Sequence, residues 1–332
     1  MKVRLAEVAA AAGVSVPTVS KVVHGRSDVA AHTRSRVEAV LAEYKYTAPR
    51  RMPAGPGLVD LVFTGKLNPW AVEIINGAEK AAATAGHRIT VSILDGKAAS
   101  DEWLARVSAS RTNGVILALA ELPSAYRARL TALNVPMVIV DPVGQPDPLI
   151  PSVGAANWAG GFNATEFLVK LGHRRIGTIT GRPALPCSQA RVQGYRAALE
   201  HVGLTADPAL VCTGDFTFET ALTAATAMLE RVDPPTAIFA GNDFEAMGVY
   251  EAARRHRLRI PEDLSVVGFD DLPMSAWVAP PLTTVAQPLA QMAAMATQMV
   301  LRPAPDDTGN RVELTTSLVI RSSTAAPRQR RR

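Results

Sequence analysis

The chain has 332 residues, of which 48% are hydrophobic and 20% are charged. This composition excludes an intrinsically disordered protein, and the length predicts a small domain joined to one or two larger ones. No apolar run approaches membrane-spanning length and no export signal is evident, so we expect a soluble, cytoplasmic protein. Cys187 and Cys212 lie in no metal-binding or redox motif and are expected to be reduced thiols.

Charge is distributed unevenly along the chain. Residues 1–55 hold nine Lys or Arg against four Asp or Glu, residues 56–327 hold 22 against 26, and residues 328–332 add four Arg. A basic head and a basic tail therefore flank a mildly acidic body. This segregation suits a small module that binds DNA phosphates while the body has another task. The alternative for the tail is a solvated charged face.

The head contains a pattern typical of a helix-turn-helix. Apolar residues recur on one helical face in residues 5–12, Gly13 interrupts that helix, and Ser15 can cap the next one. Pro17 falls in the first turn of the second helix, where its missing N–H is tolerated. Such a pair can place its second helix in the major groove of DNA, although an ordinary helical hairpin is the alternative.

The composition then changes twice. A third helix is predicted near residues 31–44 and completes a head spanning residues 1–46. Residues 47–57 hold three prolines and two glycines and are predicted to form a linker. The body, residues 58–327, precedes the basic tail at 328–332.

Strands and helices alternate through the body, with predicted strands at 58–63, 87–94, 114–119, 136–141, 175–181, 209–215, 236–243 and 264–271. Predicted helices lie between them, near 70–85, 100–110, 124–133, 157–171, 189–202, 217–232 and 244–258. This rhythm predicts an α/β fold with two doubly wound parallel-sheet subdomains and a cleft between them. Ligands gather at the carboxyl ends of parallel strands, so we expect a binding site there.

A set of motifs in fixed order resembles the LacI/GalR family of bacterial transcriptional regulators: GVSVPTVSKVVHG (13–25), GHRRIG (172–177), RVQGY (191–195), IFAGNDFEAMG (238–248), IPEDLSVVGFDD (260–271), PPLTTVAQP (280–288) and LVIRSST (318–324). The resemblance implies a helix-turn-helix head and a body similar to periplasmic sugar-binding proteins. It also implies a homodimer on a palindromic operator, with DNA affinity controlled by a small effector of the sugar class. The chain would cross between subdomains near 156, 286 and 316. The first subdomain would then take about 58–155 and 287–315, and the second about 156–286 and 316–327.

The resemblance also assigns DNA contacts. Val16, Pro17 and Lys21 match base-reading positions, and a Val or Pro side chain can contact only apolar surface such as a thymine methyl. The remaining expected contacts are phosphate donors and a basic arm: Ser15, Thr18, Ser20, Arg50 and Arg51. Three prolines interrupt the stretch that matches the family's hinge helix, and such a sequence cannot readily form that helix.

Six residues are implied as effector contacts: Trp70, Asp141, Arg191, Phe216, Asn242 and Asp270. Arg191 and Asp270 would exchange hydrogen bonds with hydroxyl groups, and Trp70 would stack on a sugar ring. Alternatives are open for two of them, since Trp70 could be helix core and Arg191 a surface ion-pair residue. Asp243 is an alternative candidate for the cap of the following helix.

Two other function classes fit a cleft of this kind. A solute-binding protein for uptake conflicts with the head and with the lack of an export signal. A cleft enzyme acting on a carbohydrate lacks a recognisable motif, because the sequence contains no GxSxG, no metal-ligand cluster and no phosphate-binding GxxxxGK[ST] loop. We therefore predict no catalytic residue, no metal, no cofactor and no membrane partner.

Overall fold

The structure is a computed structural model that describes residues 5–23, 29–44, 57–64, 67–94, 101–110, 112–119, 124–143, 149–303 and 310–328. The chain forms two compact units, Met1–Met52 and Pro53–Arg332, called here the head and the body. Arg50, Arg51 and nearly all of the predicted linker lie outside the described residues.

The head is a three-helix unit made of α1 (Leu5–Ala12), α2 (Val16–Val23) and α3 (Ala31–Glu43). Gly13 adopts a left-handed φ of +62°, which lets the chain turn sharply after α1. The axes of α1 and α2 meet at 105°, within the range of helix-turn-helix motifs. Apolar side chains from all three helices form the core: Val8, Ala9, Ala12, Val19, Val22 and Val37.

The helices of the body are α4 (Pro69–Thr84), α5 (Asp101–Ala109), α6 (Ser124–Ala132), α7 (Asn157–Lys170), α8 (Pro186–Glu200), α9 (Phe218–Leu229), α10 (Asp243–Arg255), α11 (Met274–Trp277) and α12 (Leu289–Leu301). Its strands are β1 (Gly57–Thr64), β2 (His87–Leu94), β3 (Gly114–Ala118), β4 (Met137–Val140), β5 (Ser152–Ala155), β6 (Ile176–Thr180), β7 (Val211–Thr213), β8 (Ala237–Ala240), β9 (Ser265–Asp270), β10 (Thr283–Ala286), β11 (Arg311–Leu314) and β12 (Ser317–Val319).

These strands build two six-stranded sheets. The first has the order β11-β5-β4-β3-β1-β2 and is parallel throughout. The second has the order β12-β10-β9-β8-β6-β7, with only β12 antiparallel to its neighbour. Central strands such as β3 and β8 are buried at every position, as expected of strands covered by helices on both faces. The predicted α/β class with two parallel sheets is confirmed.

The chain passes between the sheets three times. It leaves the first sheet after β5 and enters the second subdomain at Asn157 in α7. It returns after β10, when α12 packs on α4 and the first sheet. It crosses again between β11 and β12, near Thr316. Each subdomain is therefore assembled from separate stretches of sequence.

The body begins at a tightly packed point. A Cβ added to Gly57, the first residue of β1, would overlap the ring of His87. Asn113 exchanges backbone and side-chain hydrogen bonds with Leu58, at 2.6 and 2.9 Å. The chain thus enters the first sheet at a fixed position.

Among the described residues, no single helix has the length and apolar composition needed to cross a membrane. The α1–α2 pair passes that test only when joined, and its 105° bend belongs to the packed head described above.

Candidate functional site

In the head, the predicted DNA-contacting side chains within the described residues lie on α2 and at Ser15 immediately before it. Ser15 Oγ accepts from Thr18 N at 3.3 Å and hydrogen-bonds Thr18 Oγ1 at 2.8 Å, so this pair caps the helix. Val16 is 42% exposed, and Pro17 and Lys21 are also exposed. Ser20 is half-buried. The face of α2 opposite the head core therefore holds the three predicted base-reading residues.

In the body, the predicted effector residues follow strands at the carboxyl edges of the two sheets. Asp141 follows β4 in the first sheet, while Asp270 ends β9 in the second. Phe216 and Asn242 follow β7 and β8. Arg191 lies on α8 and is only 4% exposed. Parallel strands bring these side chains to one region, which we call the cleft.

Arg191 is held by contacts on several sides. Its Nε donates to Asn157 Oδ1 at 2.8 Å, and Nη1 donates to the Gly241 carbonyl at 2.5 Å. Nη1 also lies 3.8 Å from Asp270 Oδ1. The guanidinium carbon is 3.7 Å from the centre of the Phe269 ring, a cation–π contact. The surface ion-pair alternative for Arg191 is wrong, because this guanidinium is buried and fixed.

Asp141 and Asp270 are buried acids that share the field of Arg191. Burial raises the pKa of each to about 6, and the nearby guanidinium opposes that rise. For Asp270 a hydrogen bond from Gln287 Nε2, at 2.5 Å, also lowers the pKa, whereas the charge of Asp141 raises it. Asp141, Arg191 and Asp270 therefore form one electrostatic unit with an acid from each sheet, called here the cleft cluster.

The cleft cluster is bonded to the crossing segments. Asn157, which accepts from Arg191, opens the first crossing into α7. Gln287, which donates to Asp270, follows β10 at the second crossing. At the third crossing, Thr316 Oγ1 donates to the Ala156 carbonyl at 3.4 Å. A ligand that changes the bonds of the cluster would therefore act on the segments that join the subdomains.

Phe216 is a half-buried residue next to Arg191. Its ring centre lies 5.6 Å from the guanidinium carbon of Arg191. Asn242 Nδ2 donates to the Phe216 carbonyl at 3.3 Å, while Asn242 Oδ1 caps α10 by accepting from Glu245 N at 2.8 Å. Both atoms of the Asn242 amide are thus engaged by the protein.

Trp70 occupies the first turn of α4, whose cap is Asn68. The indole is 7% exposed and belongs to an apolar cluster that also contains Leu272 and Met292, from the second and first subdomains. This position at the subdomain boundary is compatible with both roles considered for Trp70, a packing residue of helix α4 and a contact of the bound effector. Stacking of Trp70 on a sugar stays a prediction.

The suggestion that Asp243 caps α10 is wrong, because Asn242 holds the cap. Asp243 instead accepts from Leu272 N at 2.7 Å and from Thr284 Oγ1 at 2.6 Å, which ties α10 to β9 and β10. Burial and the charge of Asp270 raise its pKa well above the ordinary value.

Sequence reasoning missed two polar residues of this region, Gln287 and Glu245. Glu245 stands three residues after the cap Asn242, and N-x-x-E is a capping-box signature that could have drawn attention to it. No comparable local pattern marks Gln287, whose partner Asp270 is brought to it by the β9–β10 pairing.

Comparisons with known proteins agree with this arrangement. Residues 4–48 match the family described as "Bacterial regulatory proteins, lacI family", and residues 165–324 match "Periplasmic binding protein-like domain". The HTH-type transcriptional repressor CytR of Escherichia coli K12 is 32% identical over 329 residues, covering 96% of each chain.

Two solved structures share the architecture over nearly the whole chain. A transcriptional regulator CelR–cellobiose complex has a TM-score of 0.71 and 29% identity, covering 97% of this chain and 99% of that one. The Lac repressor dimer bound to operator and the anti-inducer ONPF has a TM-score of 0.71 and 28% identity, covering 98% and 100%.

Proposed function

This chain belongs to the LacI family of bacterial transcriptional regulators, and from that premise we propose that it is a repressor that binds operator DNA through α2 and releases or engages it according to a sugar bound in the cleft. The cleft cluster carries this proposal: a buried Arg191 lies between acids from both sheets and is hydrogen-bonded to a segment that joins them.

For DNA, the proposal gives α2 the reading role. Val16 and Pro17 would pack on thymine methyl groups in the major groove, and Lys21 would donate to a guanine or a phosphate. Ser20 would add a hydroxyl contact to the backbone, whereas Ser15 and Thr18 fix the start of the helix. Arg50 and Arg51 are proposed as a basic arm that follows the DNA.

For the effector, the chemistry favours a polyhydroxylated molecule. Carboxylates of Asp141 and Asp270 can accept from sugar hydroxyls, and Arg191 can donate to them. The Phe216 ring can pack on the C–H face of a pyranose, with the Asn242 amide beside it. The cellobiose bound by the CelR regulator supports a sugar as the class of ligand.

We propose a homodimer as the form that binds DNA. The Lac repressor relative is a dimer on its operator, and a two-fold protein matches a palindromic site. The domain division is proposed with it: a head at 1–46, a linker at 47–57 that joins it to the body, and a body whose subdomains exchange chain at three crossings.

The test combines ligand discovery with DNA binding. Selection from a randomised duplex library should return an inverted repeat, and a thermal-shift screen of mono- and oligosaccharides should find a stabilising sugar. That sugar should change the Kd for the selected duplex in fluorescence anisotropy. Arg191→Ala should abolish the response and keep DNA binding, while the exposed control Arg196→Ala should respond normally. Failure to select any repeat would contradict the DNA role, and consumption of the sugar would favour a cleft enzyme.

A further inference from the structure

Glu245 is a fully buried acid in the first turn of α10, beneath the cleft. Its carboxyl group fills a slot between Gly214 and Gly241. A Cβ on Gly214 would overlap Glu245 Oε1, and a Cβ on Gly241 would lie 2.6 Å from Oε2. Both glycines are therefore required by the space that this carboxyl group occupies.

Glu245 and the helix cap hold the main chain of Phe216. Phe216 N donates to Glu245 Oε1 at 3.0 Å, and the Phe216 carbonyl accepts from Asn242 Nδ2 at 3.3 Å. Phe216 has a φ of +69°, a left-handed conformation that is unfavourable for a residue with a side chain. A strained conformation persists when surrounding contacts enforce it, and these two hydrogen bonds are such contacts.

The enforced backbone sets the position of the Phe216 ring. The ring lies over Gly181, where any Cβ would overlap it, and its centre is 5.6 Å from the guanidinium carbon of Arg191. The Gly241 carbonyl, at the other side of the carboxyl slot, accepts from Arg191 Nη1. The buried carboxyl group of Glu245 thus contacts the backbone of Phe216 and lies next to Gly241, whose carbonyl accepts from Arg191.

We propose that Glu245 is a positioning residue of the effector site, which holds the Phe216 backbone in its left-handed form and so places the ring against the bound ligand. The inference rests on the proposed function, since it concerns the same cleft. Glu245 itself touches no ligand, because its side chain lies wholly below the surface.

The protonation of Glu245 fits a structural acceptor. Burial raises its pKa to about 8, against the opposing effects of the Phe216 N–H, the Arg191 charge and the Gly241 backbone. The group is therefore mostly protonated at pH 7, and Oε1 can accept a hydrogen bond while the carboxyl group is neutral. Within the described part of the chain, Oε2 has no hydrogen-bond partner of good geometry. Phe216 N therefore donates to Oε1, while the backbone of Gly241 lies beside the same carboxyl group.

The test uses the full chain and two substitutions of the same position. Glu245→Gln keeps an oxygen for Phe216 N, whereas Glu245→Met keeps the length but removes the acceptor. Glu219→Met is the matched control, because Glu219 is exposed on the neighbouring helix α9. Amide hydrogen exchange reports the Phe216 bond directly, and titration with cellobiose and with ribose reports ligand binding.

We expect amide exchange of Phe216 to accelerate at least tenfold in Glu245→Met, while exchange in strand β1 of the same variant stays as in the wild type. In Glu219→Met the exchange of Phe216 should also equal that of the wild type. Sugar binding should weaken about tenfold in Glu245→Met and return to within threefold in Glu245→Gln. DNA binding without sugar should stay unchanged in all three variants. If Glu245→Met fails to fold, Gly241→Ala replaces it as the variant that displaces the carboxyl group.

Unchanged Phe216 exchange in Glu245→Met would overturn the inference, as would wild-type sugar affinity despite faster exchange. If the wild type binds neither sugar, the titration uses the sugar that the thermal-shift screen identifies, and a screen that finds no stabilising sugar refutes the sugar class of the proposed function instead. The exchange measurement then decides the role of Glu245 alone, with unchanged exchange again overturning it.

Discussion

Replacing Arg191 by Met should destabilise the protein in a pH-dependent way. The substitution keeps an unbranched side chain but removes the charge that opposes the raised pKa values of Asp141 and Asp270. Each pKa unit gained by one acid corresponds to about 1.4 kcal/mol once the pH exceeds its pKa. One unit on each of the two acids gives about 3 kcal/mol at pH 8, consistent with breaking a buried ion pair.

At low pH the electrostatic part of this loss in the free energy of unfolding disappears. At pH 5 both acids are largely protonated in the wild type, since their pKa values are about 6, so Arg191 contributes only packing and hydrogen bonds there. Melting temperatures measured from pH 5 to 8 should therefore show a gap between wild type and Arg191→Met that widens with pH. The exposed Arg196→Met on the same helix is the control. A gap that is equal at pH 5 and pH 8 would refute the electrostatic reasoning.

Three further outcomes are expected. Lys21→Ala should weaken DNA binding and reduce the slope of log Kd against log salt by about one, whereas an unchanged Kd and slope would remove Lys21 from the interface. Gly161→Ala should lower the melting temperature by several degrees, because its Cβ would overlap the Arg191 carbonyl at the α7–α8 contact and overpacking costs about 1–3 kcal/mol. Asn163→Ala, at an exposed position of α7, should leave the melting temperature unchanged. Glu245→Gln should stabilise the protein increasingly from pH 5 to 8, by about 3 kcal/mol at pH 7. The reason is that Glu245 stays protonated in the folded protein but ionises in the unfolded chain. A difference in unfolding free energy between variant and wild type that does not change with pH would contradict the raised pKa.

The sequence predicted the elements that have a strong local signal. The eight predicted strands are present, because runs such as GVILA and AIFA are apolar at every position. The strands β5, β10, β11 and β12 were not predicted, and each takes its place by pairing with another strand of the assembled sheets. Their place depends on the assembled sheet, and no local pattern encodes it.

In the candidate site, too, the sequence predicts the residues that lie in local motifs but not the contacts that the assembled fold creates. The family motifs lead to Arg191 in the first half of α8 and to Asp270 at the end of β9, which the fold brings to 3.8 Å. The hydrogen bonds of Asn157 and Gln287 to this pair span 34 and 17 residues of sequence and could not be derived from spacing. Burial decides the protonation of Asp141 and Glu245, and burial is known only once the subdomains have been assembled.

The fixed entry point at Gly57 and the cleft lie at opposite ends of the same strand. β1 has eight residues, so its first and last residues are about 23 Å apart at roughly 3.3 Å per residue. The first subdomain therefore has the geometry of a lever arm. A rotation of about 5° about the crossings, next to the cleft cluster, would move Gly57 by about 2 Å. A small rotation at the cleft would in this way be amplified along β1 before it reaches the first residue of the body.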